Sequence, residues 1–128
     1  MFTYVTLFSS AGVGCFGLKE LGFECVATAE LIEKRINIQK INNKCKYESG
    51  YISGDLTTDE THKRLYSEIN YFKKIEKIKD IDLIVATPPC QGMSVANHEK
   101  KEEELGRNSL VVESLKIVQR SKTTFFYL

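Results

Sequence analysis

The chain has few cysteines, few prolines, little excess of either charge and no long apolar run, and each shortage excludes a class of protein. Its four cysteines, Cys15, Cys25, Cys45 and Cys90, form no Cys-x-x-Cys pair, and neither His62 nor His98 stands at ligand spacing from them, so no metal site is expected. The same scatter, without a secretory leader, argues against a disulfide framework, and Cys15 and Cys25 read as packing residues. No apolar run approaches the roughly 18 residues of a membrane span, and no signal peptide is recognisable, so a cytoplasmic protein without membrane contact is expected. Lys and Arg number 18 against 17 Asp and Glu, a formal net charge of +1. Affinity for nucleic acid normally leaves a basic footprint. Here Lys73, Lys74, Lys77 and Lys79 are offset by Glu68, Glu76 and Asp80 and read as a solvated helix face. The two histidines are isolated and are assigned no role.

What is present is the composition of a globular domain, 128 residues with 42% hydrophobic and 27% charged residues and no internal repeat. Strand and helix signals alternate. Strands are expected at Tyr4 to Phe8, Glu24 to Ala29, Gly50 to Ser53, Ile81 to Ala86 and Thr123 to Leu128. Helices fit between them: Val13 to Leu21, ended by Gly22; Ile32 to Ile41, with Ile32, Ile36, Ile38 and Ile41 as its apolar stripe; one starting near Thr58 behind a Thr57/Glu60 capping box; and Ser109 to about Gln119, with Val111, Leu115 and Val118 on one face. Met93 to Arg107 reads as a long polar loop, which in a compact domain is either functional or an idle, solvated or disordered segment. The alternation implies an α/β fold with a doubly wound, mostly parallel sheet.

The segment Asp82 to Ser94 concentrates the chemical information. Leu83 to Ala86 is a continuous apolar run, as in a strand covered on both faces, and it meets the only two prolines of the chain, Pro88 and Pro89. The prolines end ladder pairing and stiffen the backbone, which brings Cys90 out at a strand's carboxyl end, the edge where open α/β sheets bind ligands. A thiol there can serve as a covalent nucleophile. A buried spacer in a proline turn fits Cys90 equally well on these grounds.

Nearer the amino terminus, Gly12-Val13-Gly14-Cys15-Phe16-Gly17 follows a β-prone stretch and matches the dinucleotide-binding glycine pattern. The glycines let backbone approach a ligand, and the following helix would aim its amino end at it. Glu30 closes the second strand 18 positions after Gly12, near the offset of about 20 at which a carboxylate binds a ribose diol. A dinucleotide-binding oxidoreductase domain therefore stands as an alternative.

Thr87 to Ser94, with Pro-Cys-Gln at its centre, resembles the catalytic motif of DNA cytosine-5 methyltransferases. Thr6-Leu7-Phe8-Ser9-Ser10-Ala11-Gly12-Val13-Gly14 resembles that family's cofactor loop, although the usual pattern has glycine where Ser10 stands and a glycine pair where Gly12-Val13 stands. Val26-Ala27-Thr28-Ala29-Glu30 resembles the second strand with its acidic end, Gly54-Asp55-Leu56 the third, and Gly106-Arg107-Asn108-Ser109-Leu110 the opening of the helix behind the catalytic loop. The resemblance spans nearly the whole chain. It implies a partial methyltransferase catalytic domain over residues 1–128, with an incomplete Rossmann-like S-adenosylmethionine-dependent fold. It further implies methyl transfer from S-adenosylmethionine to carbon 5 of cytosine in double-stranded DNA, of the kind found in restriction-modification systems. Cys90 would be the nucleophile. Phe8, Ser9, Ser10, Ala11, Gly12, Val13, Gly14, Glu30, Leu31, Asp55, Leu56, Pro89 and Leu110 would hold the cofactor, with Asp55 on the adenine amino group, and Pro89, Gln91, Ser94 and Arg107 would contact the DNA substrate. The polar loop would close over a flipped cytosine.

In that family the strand at Thr123 to Leu128 leads into a Glu-Asn-Val motif, further strands and a target-recognition region, none of which appears in this sequence. The expectation is an enzyme part that needs a complementary carboxyl-terminal chain. An inactive truncated fragment, or a module that only binds cofactor, are the alternatives. Phe125, Phe126 and Tyr127 would leave an apolar edge strand without a neighbour, prone to association.

Overall fold

A computed structural model describes residues 1–89 and 101–128, with side chains in the second segment described from Leu110 onward. Five parallel strands form one sheet in the order β3-β2-β1-β4-β5: β1 Thr3–Leu7, β2 Glu24–Glu30, β3 Tyr51–Ser53, β4 Leu83–Ala86 and β5 Phe125–Tyr127. The order runs outward from β1 to β3, then jumps back across β1 to β4. The sheet is thus doubly wound, with its switch point between β1 and β4, where ligands gather in such sheets.

Central position explains composition. Every residue of β1 is buried, and its threonines are satisfied internally: Thr3 donates its backbone N–H and hydroxyl to Asp82 Oδ2 at 2.8 and 2.9 Å, and Thr6 donates to Thr28 Oγ1 at 2.9 Å. An irregularity between Tyr4 and Val5 shifts the β1–β2 register by one residue, leaving Val26 extra on β2.

Among the described residues four α-helices complete the layers: α1 Phe16–Glu20, preceded by a single 3-10 turn at Val13–Cys15; α2 Glu33–Ile41; α3 Asp59–Glu76; and α4 Lys101–Ser121. On one face, Val5, Leu7, Ile84 and Ala86 pack with Leu65, Ile69 and Phe72 of α3 and Ile117 of α4. On the other, Tyr4 joins Cys15, Cys25 and Cys45, with Leu18, Leu83 and Val85 partly covered against them. Burial pushes the Cys15 thiol and the Tyr4 hydroxyl up, while its hydrogen bond to Cys25 and burial together raise Cys45; these groups stay protonated and act as packing.

Several elements depart from the sequence reading. The first helix is a 3-10 turn and five residues of α-helix rather than Val13 to Leu21, so it brings little dipole to the loop before it; Gly22, at φ +82°, does end it. In α2 the buried residues are Ile36 and Gln39, whereas Ile32, Ile38 and Ile41 are exposed. Helix α3 is capped by Thr58, whose Oγ1 accepts from Thr61 N at 3.3 Å, while Thr57 instead bonds Asp55. Helix α4 starts at Lys101, eight positions ahead of Ser109, so residues 101–107 are not loop. Lys101-Glu102-Glu103-Glu104-Leu105 are good helix formers, and three glutamates suit a first turn. The buried residues of α4, from Leu110 onward, are Ser114, Ile117 and Ser121; of the expected stripe Val118 packs partly buried against the core, Val111 is half-buried and Leu115 is exposed, and Ser114 hides its hydroxyl by donating to Leu110 O at 2.9 Å. His62, assigned no role from sequence, ties α3 to its neighbours: its Nε2 lies 2.6 Å from Leu56 O and 3.2 Å from a Glu113 carboxylate oxygen of α4.

Glu68 does not belong to the solvated face. It is buried, and its Oε1 accepts from Ser49 Oγ at 2.9 Å. Burial raises its carboxyl above the usual range, against a smaller opposing effect of the Ser49 hydrogen bond. The folded state therefore holds this proton more tightly than the unfolded chain. The ionised group detracts from stability at neutral pH, and the penalty disappears as pH falls through the raised pKa toward the ordinary glutamate value. Glu68→Gln is expected to raise the melting temperature at pH 7 to 8, with a gain that shrinks toward zero near pH 4. A gain independent of pH would show that charge is not the cause.

Candidate active site

At the carboxyl edge of the sheet, the ends of four strands surround a cleft of about 320 Å³, the lower end of the range for small-molecule sites. Phe8 follows β1; Ser10 belongs to the next turn; Glu30, Leu31, Ile32 and Arg35 come from the end of β2 and the start of α2; Gly54, Asp55 and Leu56 follow β3; Thr87 and Pro89 follow β4; and Leu110 leans in from α4. Each strand contributes at its end because parallel strands finish on one edge of the sheet, which turns scattered sequence positions into one rim.

Glu30 is the electrostatic centre. It is 5% exposed; its Oε2 accepts from Ser10 N at 2.7 Å, its Oε1 accepts from Ile32 N at 3.1 Å, and Arg35 Nη1 stands 3.5 Å from Oε1. A carboxylate offers about four lone-pair sites, so acceptor capacity remains for the hydroxyls of a ribose. Asp55 is exposed. Its Oδ1 accepts from Thr57 N at 2.9 Å and Thr57 Oγ1 at 2.8 Å, a local turn that fixes the carboxylate. Gly54 is needed between the two acids, since a Cβ there would meet Thr61 Oγ1 at 2.6 Å. Thr87 closes the rim by donating N–H to Leu7 O at 3.2 Å and Oγ1 to Phe8 O at 3.1 Å.

The loop after β1 is held in an unusual backbone. Phe8 and Ser10 have φ of 55° and 52°, and Gly12 has 86°. For Gly12 the requirement is double, because a Cβ would also come within 3.0 Å of Gln39 Cγ.

Of the residues singled out in the sequence, Phe8, Ser10, Glu30, Leu31, Asp55, Leu56, Pro89 and Leu110 meet in this cleft. Ser9, Val13 and Gly14 do not. They line an adjoining groove of about 590 Å³ with Leu18, Leu83, Val85 and Tyr127, which shares Ser10 and Thr87 with the cleft, and Ala11 and Gly12 line a small pocket of about 90 Å³ above Gln39 and Lys44. Cys90, Gln91 and Ser94 lie outside the described residues, as does the side chain of Arg107; Cys90 is covalently next to Pro89 on the rim. The sequence reading missed Ile32, Arg35 and Thr87, and it missed Gln39 beneath the loop. Arg35, in the first turn of the helix that follows Glu30, carries the one usable signal, a basic residue close in sequence to the acid at the strand end.

An adenosine-bearing cofactor suits the chemistry of this donor set, with a buried carboxylate for a diol, an exposed carboxylate for an amino group and apolar walls from Phe8, Leu31, Ile32 and Leu56 for a flat base. Among the described residues no group of three metal-ligating side chains is present, and no helix is long and apolar enough to cross a membrane.

Comparison with known proteins gives the same direction. The chain is 29% identical over 128 residues to the type II methyltransferase M1.HgaI of Avibacterium volantium, covering 97% of this chain and 33% of that protein. It is 27% identical over 124 residues to the type II methyltransferase M.AquIA of a Picosynechococcus species, covering 97% of this chain and 46% of that one. A solved structure described as a DNA modification methyltransferase encoded within an E. coli prophage shares the fold, with a TM-score of 0.66 and 22% identity, over 98% of this chain and 31% of its own. The chain thus spans between about a third and a half of the length of these relatives. The family described as C-5 cytosine-specific DNA methylase matches residues 2–128. With a doubly wound sheet, an acid-centred cleft on its carboxyl edge and a family match over nearly every residue, the chain belongs to the C-5 cytosine-specific DNA methylases.

Proposed function

We propose that this chain is the cofactor-binding and nucleophile-bearing part of a DNA cytosine-5 methyltransferase, and that residues 1–128 act as a partial catalytic domain. The reading is supported above all by one observation: residues from five separate family motifs, Phe8, Ser10, Glu30, Asp55, Leu56, Pro89 and Leu110 among them, line a single cleft, whose rim ends at the residue covalently before Cys90. S-adenosylmethionine, when bound, supplies an electrophilic methyl group on a sulfonium. Glu30 and Asp55 would orient it through the ribose and the adenine, with Leu31, Leu56, Pro89 and Leu110 against its apolar surfaces.

Cys90 then supplies what cytosine lacks. Carbon 5 of the aromatic ring is a poor nucleophile. Addition of the Cys90 thiolate to carbon 6 places electron density on carbon 5, which takes up the methyl group; loss of the carbon 5 proton and expulsion of Cys90 restore the ring and the thiolate. The base must leave the duplex for this, at a cost of a few kcal/mol. Pro89, Gln91, Ser94 and Arg107 are the residues assigned to the DNA.

The remaining length of the relatives is assigned to a carboxyl-terminal part, on the same or a complementary polypeptide, that carries the Glu-Asn-Val motif and target recognition. The open groove beside β4 and β5 suits such a part, because Leu83, Val85 and Tyr127 present apolar surface there and Phe125, Phe126 and Tyr127 are exposed on an edge strand. Incubation with tritium-labelled S-adenosylmethionine and duplex DNA tests the whole reading. Label on carbon 5 of cytosine is expected when a carboxyl-terminal family segment is supplied, with little or none from the chain alone. Label on a ring-exocyclic nitrogen instead would overturn it.

A further inference from the structure

The loop of residues 8–14 departs from the family pattern at Ser10, and the structure contains what compensates for that departure. Ser10 has φ 52°, a left-handed conformation that glycine adopts freely and serine adopts only at a cost of about 1–2 kcal/mol. Two buried side chains hold it there. On one side Glu30 Oε2 accepts from Ser10 N at 2.7 Å; on the other Gln39 Nε2 donates to Ser10 O at 2.6 Å. The same Gln39 amide nitrogen donates to Ser9 Oγ at 2.9 Å, its Oε1 accepts from Thr28 Oγ1 at 2.7 Å, and its Cγ lies against the space where a Gly12 side chain would stand. Gln39 is 1% exposed although it sits on a surface helix. A buried amide with all these partners is an unusual expense for α2 unless the loop it touches requires it.

We propose that Gln39 is a positioning residue for cofactor binding, clamping Ser9 and Ser10 so that serine holds the left-handed turn that glycine provides in the usual family pattern. The proposal rests on the reading of the neighbouring cleft as the S-adenosylmethionine site, since Ser10 lines that cleft. It makes a specific claim about coupling. If the clamp exists to hold Ser10, it becomes dispensable when position 10 needs no holding.

The test is equilibrium dialysis of labelled S-adenosylmethionine against the full chain, with thermal unfolding measured on each variant. Gln39→Leu is expected to weaken cofactor binding by tenfold or more, and Gln39→Glu, which keeps the volume but replaces the donor by an acceptor facing Ser10 O, to weaken it at least as much. Measured against Ser10→Gly alone as its own reference, the double variant Ser10→Gly/Gln39→Leu is expected to recover most of the loss, binding within about twofold of that reference. A merely structural glutamine would lower the melting temperature of both backgrounds alike and show no such recovery. Additive losses, or unchanged binding in Gln39→Leu, would overturn the clamp while leaving the cofactor reading intact. An unmutated chain that binds no cofactor would instead remove the reading on which the clamp depends, and the clamp with it.

Discussion

Replacement of Cys90 by serine is expected to abolish methyl transfer by the assembled enzyme, by on the order of a thousandfold or more, while S-adenosylmethionine binding stays within a few-fold of the unmutated protein. The separation of the two effects follows from how the cleft is built. Its walls come from the ends of β1, β2 and β3, from the turn after β4 as far as Pro89, and from Leu110; none of these depends on the sulfur that follows. Serine preserves the size of the side chain and its position after two prolines, so the rim keeps its backbone. What changes is nucleophilicity, because an alcohol is scarcely ionised where a thiol provides a reactive thiolate. The matching measurement is covalent trapping: a cytosine analogue bearing fluorine at carbon 5 keeps the substituent that must leave and should hold unmutated protein on DNA as a denaturation-resistant adduct, with none from Cys90→Ser. Full turnover in the variant, or an adduct through another residue, would rule out Cys90 as the attacking group.

The parts of this protein that were legible in its sequence are those where one physical demand dominates. Strands β1 and β2 are covered on both faces and β4 is buried on one face and partly covered on the other, so they show as apolar or β-branched runs, and their bounds differ from the sequence reading by no more than two residues. The acid at position 30 was legible because strand end and offset from the glycines coincide. Legibility failed where two demands compete. On α2 the isoleucines suggest one stripe, but the helix turns Gln39 inward, and a hydropathy pattern cannot register a polar side chain whose hydrogen bonds are all satisfied. Glu68 shows the same failure from the opposite side, a carboxylate among lysines that nevertheless faces Ser49. At α4 the charged run suggests a loop, although lysine and glutamate are helix formers whose charge only fixes which side meets water. The grouping of Phe8, Glu30, Asp55 and Pro89 was a matter of topology: only the strand order β3-β2-β1-β4 brings those four strand ends into one arc.

The largest effect expected within the cleft itself belongs to Glu30→Ala, and it has two components that the geometry separates. The first is cofactor affinity, which should fall by about 1–3 kcal/mol through loss of the charged acceptor for the ribose, roughly five- to 150-fold. The second is structural. Glu30 already accepts from Ser10 N and Ile32 N, so alanine strips partners from one amide that sustains a left-handed residue and another at the entrance to α2. Unmade hydrogen bonds of this kind cost about 1–3 kcal/mol when the groups stay buried, less where water reaches them. Ser10 is exposed, which keeps this second component at the lower end. Glu30→Gln divides the two. Its single carbonyl can serve one of the two backbone donors, while its amide group faces the other N–H with nothing to accept, so stability should fall less than in alanine and affinity nearly as far. Calorimetric titration with S-adenosylmethionine and thermal unfolding on the same samples give both numbers. If Glu30→Ala lowered the melting temperature but left cofactor affinity unchanged, the carboxylate would be a strut for the loop alone, and the diol would have to be held from elsewhere in the cleft.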